Sequence, residues 1–244
     1  MSEHAGAASA GWRAPELAGS YLEGRETLIP MLDVMEDLVR RLLTRAPRPI
    51  GRFLDLGCGG GAMSELVRSI NPAEAVLVDF SEPMLEAARR RGGDGEGWHV
   101  TRGDLGDPGW REELPAQRYD AVVSGLAIHH LPAARKRALF TEVHDLLEPG
   151  GMFVNLDYVT QHGPLAGLWD DEMLAAAVRA DRHRGGDRSK ADVEADIFDD
   201  SGEDRPDTAE DQVAWLRAAG FQPADVYFKW AEAAVFGGLR PATP

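Results

Sequence analysis

The chain has 244 residues, of which 43% are hydrophobic, and it carries a formal net charge of −15 at pH 7. That length fits one α/β domain with an insertion, and the composition supplies enough apolar residues for a core. An acidic surface argues against nucleic acid or a membrane surface as partner, because clustered lysine and arginine bind both. No apolar run reaches the roughly 18 residues of a membrane span. The N-terminus lacks a secretory pattern, and the single cysteine fits a reducing cytoplasm.

The N-terminal part is predicted to be helical, with helices over residues 15–23 and 28–44. In the second helix, apolar residues recur at helical spacing, at Leu28, Leu32, Met35, Leu38, Val39 and Leu42. We interpret residues 1–49 as a helical cover over the main domain, residues 50–244. Tyr21 and Arg25 lie in this cover, where they are candidates for a substrate pocket or for packing onto the sheet.

Residues 53–64, FLDLGCGGGAMS, predict a buried strand that enters a helix through a glycine-rich turn. Four glycines within five residues cost backbone entropy, which is typical of a place where a ligand approaches the main chain. Amides at the turn and at the helix N-terminus suit a polar or anionic group. The pattern predicts a nucleotide-type binding turn, with an ordinary tight connection as the alternative.

The turn by itself leaves the kind of nucleotide open. Gly57, Gly59 and Ala62 fit the dinucleotide fingerprint G-x-G-x-x-[GA]. Asp79 ends the next apolar run, about 20 residues further on, which is the spacing of a ribose-binding acid. These two features suit NAD almost as well as any other adenosine-containing cofactor.

Beyond the turn, strands and helices are predicted to alternate, at 74–79, 81–91, 98–101, 119–124, 132–147 and 152–156. Pro149-Gly150-Gly151 is expected to turn the chain into the last of these strands. Such alternation implies a parallel sheet with helices on both faces, in which ligands bind beyond the carboxyl ends of the strands. The residues expected to converge on that edge are Gly57, Asp79, Asp104, Ser124 and Asp157.

The last third has a different pattern. A helix is predicted over 165–180, and Thr208 with Asp211 caps another that runs to residue 219. Strands over 225–230 and 233–238 form an antiparallel hairpin at the sheet edge.

Residues 160–207 are predicted to be a variable insert. The acidic stretch that begins here, 192–211, reads as a solvated surface loop. It has no calcium-loop spacing, and the sequence predicts no metal site.

Five motifs follow one another along the main domain: LDLGCGGG at 54–61, VDFSEPML at 78–85, GDL at 103–105, YDAVVSGLAIHHL at 119–131 and LLEPGGMF at 146–153. Together they resemble the class I S-adenosylmethionine-dependent methyltransferases. A dinucleotide enzyme needs neither the Gly-Asp-Leu nor the Pro-Gly-Gly. The resemblance implies a Rossmann-like, seven-stranded, mostly parallel sheet with helices on both faces and an antiparallel C-terminal hairpin.

The resemblance also implies roles for single residues. Asp79 would accept hydrogen bonds from both ribose hydroxyls, Asp104 from the adenine amino group, and the main chain at Gly57 and Gly59 would meet the methionine part. The residues that it assigns to cofactor binding are Asp55, Gly57, Cys58, Gly59, Asp79, Phe80, Met84, Gly103, Asp104, Leu105, Ser124, Gly125 and Leu126.

Methyl transfer from a sulfonium is an in-line displacement, so the protein mainly aligns and desolvates the reactants. A base is needed only where the acceptor starts protonated. His129 precedes a helix whose N-terminus disfavours the imidazolium, which makes it the candidate catalytic base in a neutral form. His129, His130, Tyr158 and Trp169 are candidates for the acceptor pocket, with packing as the alternative.

We therefore expect a cytoplasmic methyltransferase, a monomer or homodimer, that uses S-adenosylmethionine, releases S-adenosylhomocysteine and acts on a small, partly apolar acceptor. The chain is also somewhat similar to the carboxy-S-adenosylmethionine synthases, through Leu-Ile-Pro at 28–30. A module that binds the cofactor without turnover and an NAD-dependent dehydrogenase are the remaining alternatives.

Overall fold

The computed structural model describes residues 29–93, 95–115, 118–183, 185–197 and 204–242. The helix predicted at 15–23, together with Tyr21 and Arg25, lies outside these residues. Within the described ranges, no helix combines the length and the apolar character that crossing a lipid bilayer requires.

A seven-stranded sheet lies at the centre of the molecule. Its strands are β1 Arg52–Leu56, β2 Glu74–Asp79, β3 Trp98–Arg102, β4 Tyr119–Gly125, β5 Leu147–Tyr158, β6 Ala224–Trp230 and β7 Ala233–Leu239. The order across the sheet is β3-β2-β1-β4-β5-β7-β6. Strands β1 to β5 pair in parallel, whereas β7 is antiparallel to both β5 and β6. The predicted fold class, including the C-terminal hairpin at the edge, is confirmed.

Helices cover both faces of this sheet. The described helices are α1 Leu32–Thr44, α2 Ala62–Ile70, α3 Glu82–Gly92, a 3-10 turn Ile128–His130, α4 Ala133–Leu146, α5 Ala166–His183, α6 Lys190–Ile197 and α7 Ala209–Ala218. Apolar side chains of α1, α2 and α3 share one core with one face of the sheet, and those of α4 and α7 share a second core with the other face.

Strand β1 shows why its sequence reads as an almost continuous apolar run. Phe53 belongs to the first core, while Leu54 and Leu56 belong to the second. Side chains alternate between the two faces of a strand, and here helices bury both faces. The strand is therefore anchored on two sides, and its carboxyl end is held firmly where the glycine turn begins.

Three predicted boundaries were wrong for local backbone reasons. Helix α1 begins at Leu32 rather than at 28, because Pro30 and the left-handed Met31 (φ 63°) precede it. Pro132 is the extended residue before α4, not its first helical residue. Pro149-Gly150-Gly151 lies inside β5, where the register shifts against β4 as an irregularity rather than a separate turn.

One helix in the insert was missed by the sequence analysis. Residues 192–197 were expected to belong to a solvated surface loop, but they lie in α6, Lys190–Ile197. Ser189 caps it, since its hydroxyl accepts from the Asp192 amide at 3.1 Å and donates to the Asp192 carboxylate at 2.6 Å. Helices α5 and α6 also share a small core of their own, made by Leu174, Ala177 and Val193.

Candidate cofactor and acceptor site

A cavity of about 500 Å³ opens at the carboxyl edge of the sheet. Of the thirteen residues assigned to the cofactor by resemblance, all but Ser124 line it. Ser124 is fully buried, and its hydroxyl donates to the Leu56 carbonyl at 2.8 Å. The Ser124 side chain therefore ties β4 to β1, and the expected main-chain contact of this residue with the cofactor stays a prediction.

The glycine turn needs glycine for two separate reasons. Gly57 and Gly59 have φ angles of 61° and 49°, in the left-handed region that side chains disfavour. A Cβ on Gly57 would also lie 2.3 Å from the Cβ of Ala127, so that any side chain there collides with the segment after β4. The Cys58 amide donates to the Val78 carbonyl at 3.0 Å, which joins the turn to the end of β2.

Asp55 and Cys58 support the turn from inside. Asp55 is fully buried at the end of β1, and one of its carboxylate oxygens accepts from the Ser64 hydroxyl at 2.7 Å, which connects β1 to the first turn of α2. Burial raises the pKa of the Cys58 thiol well above its usual value, and the nearby carboxylates of Asp79 and Asp55 raise it further. The thiol is therefore neutral and serves as a small apolar side chain.

Asp79 lies at the carboxyl end of β2, 8% exposed, on the cavity wall. Its two oxygens accept from the main-chain amides of Gly59 and Ser81, at 2.9 and 2.8 Å. Burial raises the pKa of this carboxyl, and the amide hydrogen bonds of Ser81 and Gly59 oppose that rise. Because a carboxylate oxygen has two lone pairs, each oxygen keeps capacity for another donor.

The end of β3 supplies the neighbouring wall. The Gly103 amide donates to the Asp79 carbonyl at 2.9 Å, which brings Asp104 and Leu105 beside Asp79. Asp104 accepts from the Gly106 amide at 2.8 Å, and Leu105 is buried. A Cβ on Gly103 would approach Val78 to 2.8 Å, so that the close crossing of the two strand ends depends on this glycine.

The wall opposite Asp79 follows β4. Gly125, Leu126 and Ala127 line the cavity there. Leu126 has a left-handed φ of 57°, and its amide donates to the Leu156 carbonyl at 2.8 Å, so that this bend is held against β5.

His129 lies behind this bend, 3% exposed, and it does not line the cavity, whereas His130 does. The Nδ1 of His129 lies 2.6 Å from Asp157 Oδ1, and the Nε2 of His129 lies 3.5 Å from Asp204 Oδ1. Burial alone lowers the pKa of His129, but the two carboxylates outweigh it and raise the pKa to about 9. The expected neutral imidazole is therefore wrong: the prediction weighed the helix N-terminus and overlooked both acids.

Two further predicted pocket residues, Tyr158 and Trp169, lie away from the cavity wall. The Tyr158 ring packs edge-on against the ring of His129 with centroids 5.3 Å apart, and Trp169 is a half-buried residue of α5. Neither lines the cavity. Tyr158 therefore acts as packing around the histidine in this structure.

Sequence reasoning missed several charged residues on the cavity wall: Glu36, Arg40, Arg91, Arg135 and Arg205. They come from α1, α3, α4 and the segment before α7. Arg135 is held in place, since its guanidinium donates to the Leu105 carbonyl and to both oxygens of Glu142. No local motif marks such residues, because each reaches the cavity only through the packing of its own element.

Comparisons with known proteins agree with this geometry. Residues 53–151 match a family model described as a methyltransferase domain. The demethylmenaquinone methyltransferase of Clavibacter sepedonicus is 29% identical over 76% of this chain and 72% of its own length. The ubiquinone biosynthesis O-methyltransferase of Ruegeria pomeroyi is 34% identical over 46% of this chain and 43% of its own length.

Solved structures share the fold. Human N-acetylserotonin methyltransferase in complex with SAM superposes with a TM-score of 0.63 at 15% identity, over 100% of this chain and 60% of that one. An O-methyltransferase family protein from Burkholderia thailandensis gives 0.65 at 16% identity, over 97% and 62%. The chain thus spans about three fifths of the length of these two proteins.

The sheet order, the glycine turn and the matched domain together define a class of protein. The chain is a class I S-adenosylmethionine-dependent methyltransferase, as its five motifs predicted. This membership decides the type of nucleotide in favour of S-adenosylmethionine over NAD.

Proposed function

We propose that this methyltransferase transfers a methyl group to an oxygen, nitrogen or carbon atom of a small-molecule acceptor by in-line displacement. The observation that carries the proposal is the large cavity at the carboxyl edge of the sheet, about 500 Å³ in volume. That volume is in the range of about 300–1,000 Å³ typical of small-molecule sites. A net charge of −15 opposes a nucleic-acid acceptor.

The residues present fit the cofactor. Asp79 offers two buried carboxylate oxygens with remaining acceptor capacity, which suits the two ribose hydroxyls. Asp104, Leu105 and Phe80 provide an acceptor and apolar surface for the adenine. The glycine turn and the bend after β4 expose main chain to the methionine arm. When bound, S-adenosylmethionine supplies an electrophilic methyl group on a sulfonium sulfur.

The protein's own contribution is alignment and exclusion of water. The strand ends that carry Gly57, Asp79 and Asp104 are tied to each other by main-chain hydrogen bonds, so that the cavity wall is fixed before any ligand arrives. Well-oriented reactants gain about 7–11 kcal/mol relative to free encounter. We expect the acceptor to bind beside His130 and Arg205, which line the same cavity as the cofactor residues.

The geometry does not favour His129 as the base. A histidine that keeps its proton up to about pH 9 is a poor proton acceptor at neutral pH, and this one lies behind the wall. We therefore assign it a positioning role, in which it holds His130 and the segment around Asp204. A His129→Ala variant whose turnover stays within about threefold of the parent rules out the base. A larger loss is separated from a positioning role by the pH profile of the parent, since a base with a pKa of about 9 gives a rate that rises up to about pH 9.

Calorimetry tests the cofactor assignment. S-adenosylhomocysteine is expected to bind with micromolar affinity and NADH not to bind. The reverse result contradicts the assignment. An Asp120→Asn variant is expected to bind S-adenosylhomocysteine as the parent does, and it is the matched control for changes at Asp79. Asp120 lies at the end of β4 opposite the cavity and accepts from the Gly51 and Arg52 amides.

A metabolite screen tests the acceptor class. The protein is incubated with labelled S-adenosylmethionine and a fractionated small-molecule extract, and products one methylene heavier are sought by mass spectrometry. Transfer to a small molecule supports the proposal. Transfer only to protein or nucleic-acid fractions contradicts it, and tight cofactor binding without any transfer favours the non-catalytic module.

A further inference from the structure

Two histidines and an acid meet at the wall of the cavity, in the arrangement of a metal site. We propose that His129, His130 and Asp204 bind a divalent transition-metal ion. Among the described residues, one ligand atom of each lies within 4.8 Å of the others. Asp204 Oδ1 lies 3.5 Å from His129 Nε2 and 3.0 Å from His130 Nδ1. The sequence pattern predicted no metal site in this chain.

These separations match the geometry of a real coordination sphere. Nitrogen and oxygen ligands about 2.0–2.1 Å from a zinc ion in a tetrahedral arrangement lie about 3.3 Å apart. The two measured separations fall on either side of that value. Asp204 thus lies at a ligand-to-ligand distance from both rings, and the two ring nitrogens lie within 4.8 Å of each other, so that side-chain rotation brings all three atoms around one ion.

Asp157 completes the arrangement from behind. It is fully buried, and its Oδ1 lies 2.6 Å from His129 Nδ1, the ring nitrogen that faces away from Asp204. Metal-bound histidines almost always donate their other N–H to a carboxylate or carbonyl, which fixes the ring and its tautomer. With the proton on Nδ1, the lone pair of Nε2 faces the Asp204 carboxylate. A metal ion that displaces the second proton of the His129 imidazolium would then lie between these two acceptors.

The ligand-bearing segments are held in place by contacts that do not involve the ligands' side chains. The Arg205 amide donates to the His129 carbonyl at 2.9 Å, which joins residue 205 to the histidine pair. Lys136 is fully buried, and its ammonium donates to the Arg205 carbonyl at 2.5 Å and to Asp207 Oδ2 at 2.7 Å. This frame places Asp204 opposite both rings, and preorganised ligands are what a metal site requires.

The donor set indicates the kind of ion. Two imidazoles and one carboxylate suit zinc, iron, cobalt or nickel, whereas magnesium and calcium prefer oxygen ligands alone. Three protein ligands leave at least one coordination position open, as in catalytic rather than structural sites. Because His130 lines the cavity, the ion lies at its wall, where an oxygen of the acceptor can take that position. The acceptor's part rests on the proposed function; the metal site itself does not.

Metal binding is measured directly, on chain without an affinity tag that has been freed of metal with a chelator. Titration calorimetry with Zn²⁺ is expected to show one ion per chain, and Co²⁺ to show the visible absorption of a nitrogen–oxygen site. Asp204→Asn and His130→Ala are each expected to weaken Zn²⁺ binding at least about tenfold, and Asp157→Asn by about 10–100-fold. Asp204 is partly exposed, so that its variant is the one least prone to misfold.

Matched controls separate this site from surface binding. His99→Ala and Asp192→Asn alter an exposed histidine and an exposed acid that do not belong to the cluster, and both are expected to keep wild-type Zn²⁺ affinity. Absence of stoichiometric Zn²⁺ and Co²⁺ binding overturns the proposal, and so does binding that Asp204→Asn and His130→Ala leave unchanged. The cluster is then an ion pair that fastens residues 204–208. S-adenosylhomocysteine titrations of the same variants report separately on the cofactor site.

Discussion

The cofactor edge and the histidine cluster border the same cavity but are built in opposite ways. The edge is made by three consecutive strand ends, from Asp55 to Leu105, and relies largely on main chain. The cluster joins His129 and His130 to Asp204, with Asp157 behind His129, and these segments are far apart in sequence and meet through side chains. The first can be recognised from a local motif, and the second exists only after β5 and the segment before α7 have packed.

The largest effect is expected at the glycine turn. Gly57→Ala adds a Cβ 2.3 Å from that of Ala127 and forces a side chain into left-handed backbone. We expect a loss of about 2–4 kcal/mol in the free energy of unfolding, measured by denaturant titration, and loss of detectable S-adenosylhomocysteine binding.

Gly150→Ala is the matched control for that change. Gly150 has a φ of 79°, and a Cβ added there would meet nothing within 4 Å, so that only the backbone strain of about 1–2 kcal/mol remains. An equal loss in both variants shows that the contact with Ala127 is not what demands glycine. Partial recovery of Gly57→Ala by a second change, Ala127→Gly, supports the steric account.

The histidine cluster is expected to make stability depend on pH in the metal-free protein. The pKa of His129 is about 9 in the folded chain, against about 6.5 when unfolded. Since the folded pKa is the higher one, its stabilisation is complete below about pH 6.5 and is lost as the pH rises through about 9. We expect the free energy of unfolding, measured in chelator, to fall by about 2–3 kcal/mol across that window.

His129→Gln is expected to remove most of that slope, because Gln does not titrate. His99→Gln changes an exposed histidine and is expected to keep the wild-type slope. A wild-type profile that is flat between pH 6.5 and 9, or one that rises, contradicts the assigned protonation of His129.

A smaller effect is expected for Asp79 in cofactor binding. Asp79→Ala is expected to weaken S-adenosylhomocysteine binding at least about tenfold (~1.4 kcal/mol) while the fold survives, because the ribose hydroxyls lose their acceptor. Asp79→Asn keeps one acceptor oxygen, and its affinity for S-adenosylhomocysteine is expected to lie between those of the wild type and Asp79→Ala. Calorimetric affinities equal to the wild type place the ribose elsewhere.

The smallest effect is expected at the cap of α7, next to the cluster. The Thr208 hydroxyl accepts from the Asp211 amide at 3.0 Å and donates to its carboxylate at 2.7 Å. Thr208→Ala is expected to cost about 1 kcal/mol, or about 2–4 °C in Tm, with cofactor affinity unchanged. Thr208→Ser retains the hydroxyl and is expected to keep the stability of the wild type. A fall in cofactor affinity in Thr208→Ala would show that the cofactor edge and the α7 region are coupled.

In the C-terminal third, the sequence pattern predicted the structure less well than in the rest of the chain. The acidic stretch from residue 192 was interpreted as a solvated loop because charge density opposes burial. Yet part of it forms α6, and Asp204 faces the two histidines. Composition describes the average environment of a segment, whereas a single carboxylate can face inward once a histidine is there to pair with it.

The residue pattern alone was enough to predict the sheet and the glycine turn, and twelve of the thirteen positions that it assigned to the cofactor line the cavity. These follow from short-range rules: apolar runs form strands, glycine permits left-handed turns, and parallel strands end at one edge. The packing of the whole fold was needed to show that the Ser124 side chain bonds to β1, that two carboxylates raise the pKa of His129 and that α1, α4 and Arg205 complete the cavity. Those facts depend on burial and on partners distant in the chain, and neither is written in the neighbouring residues.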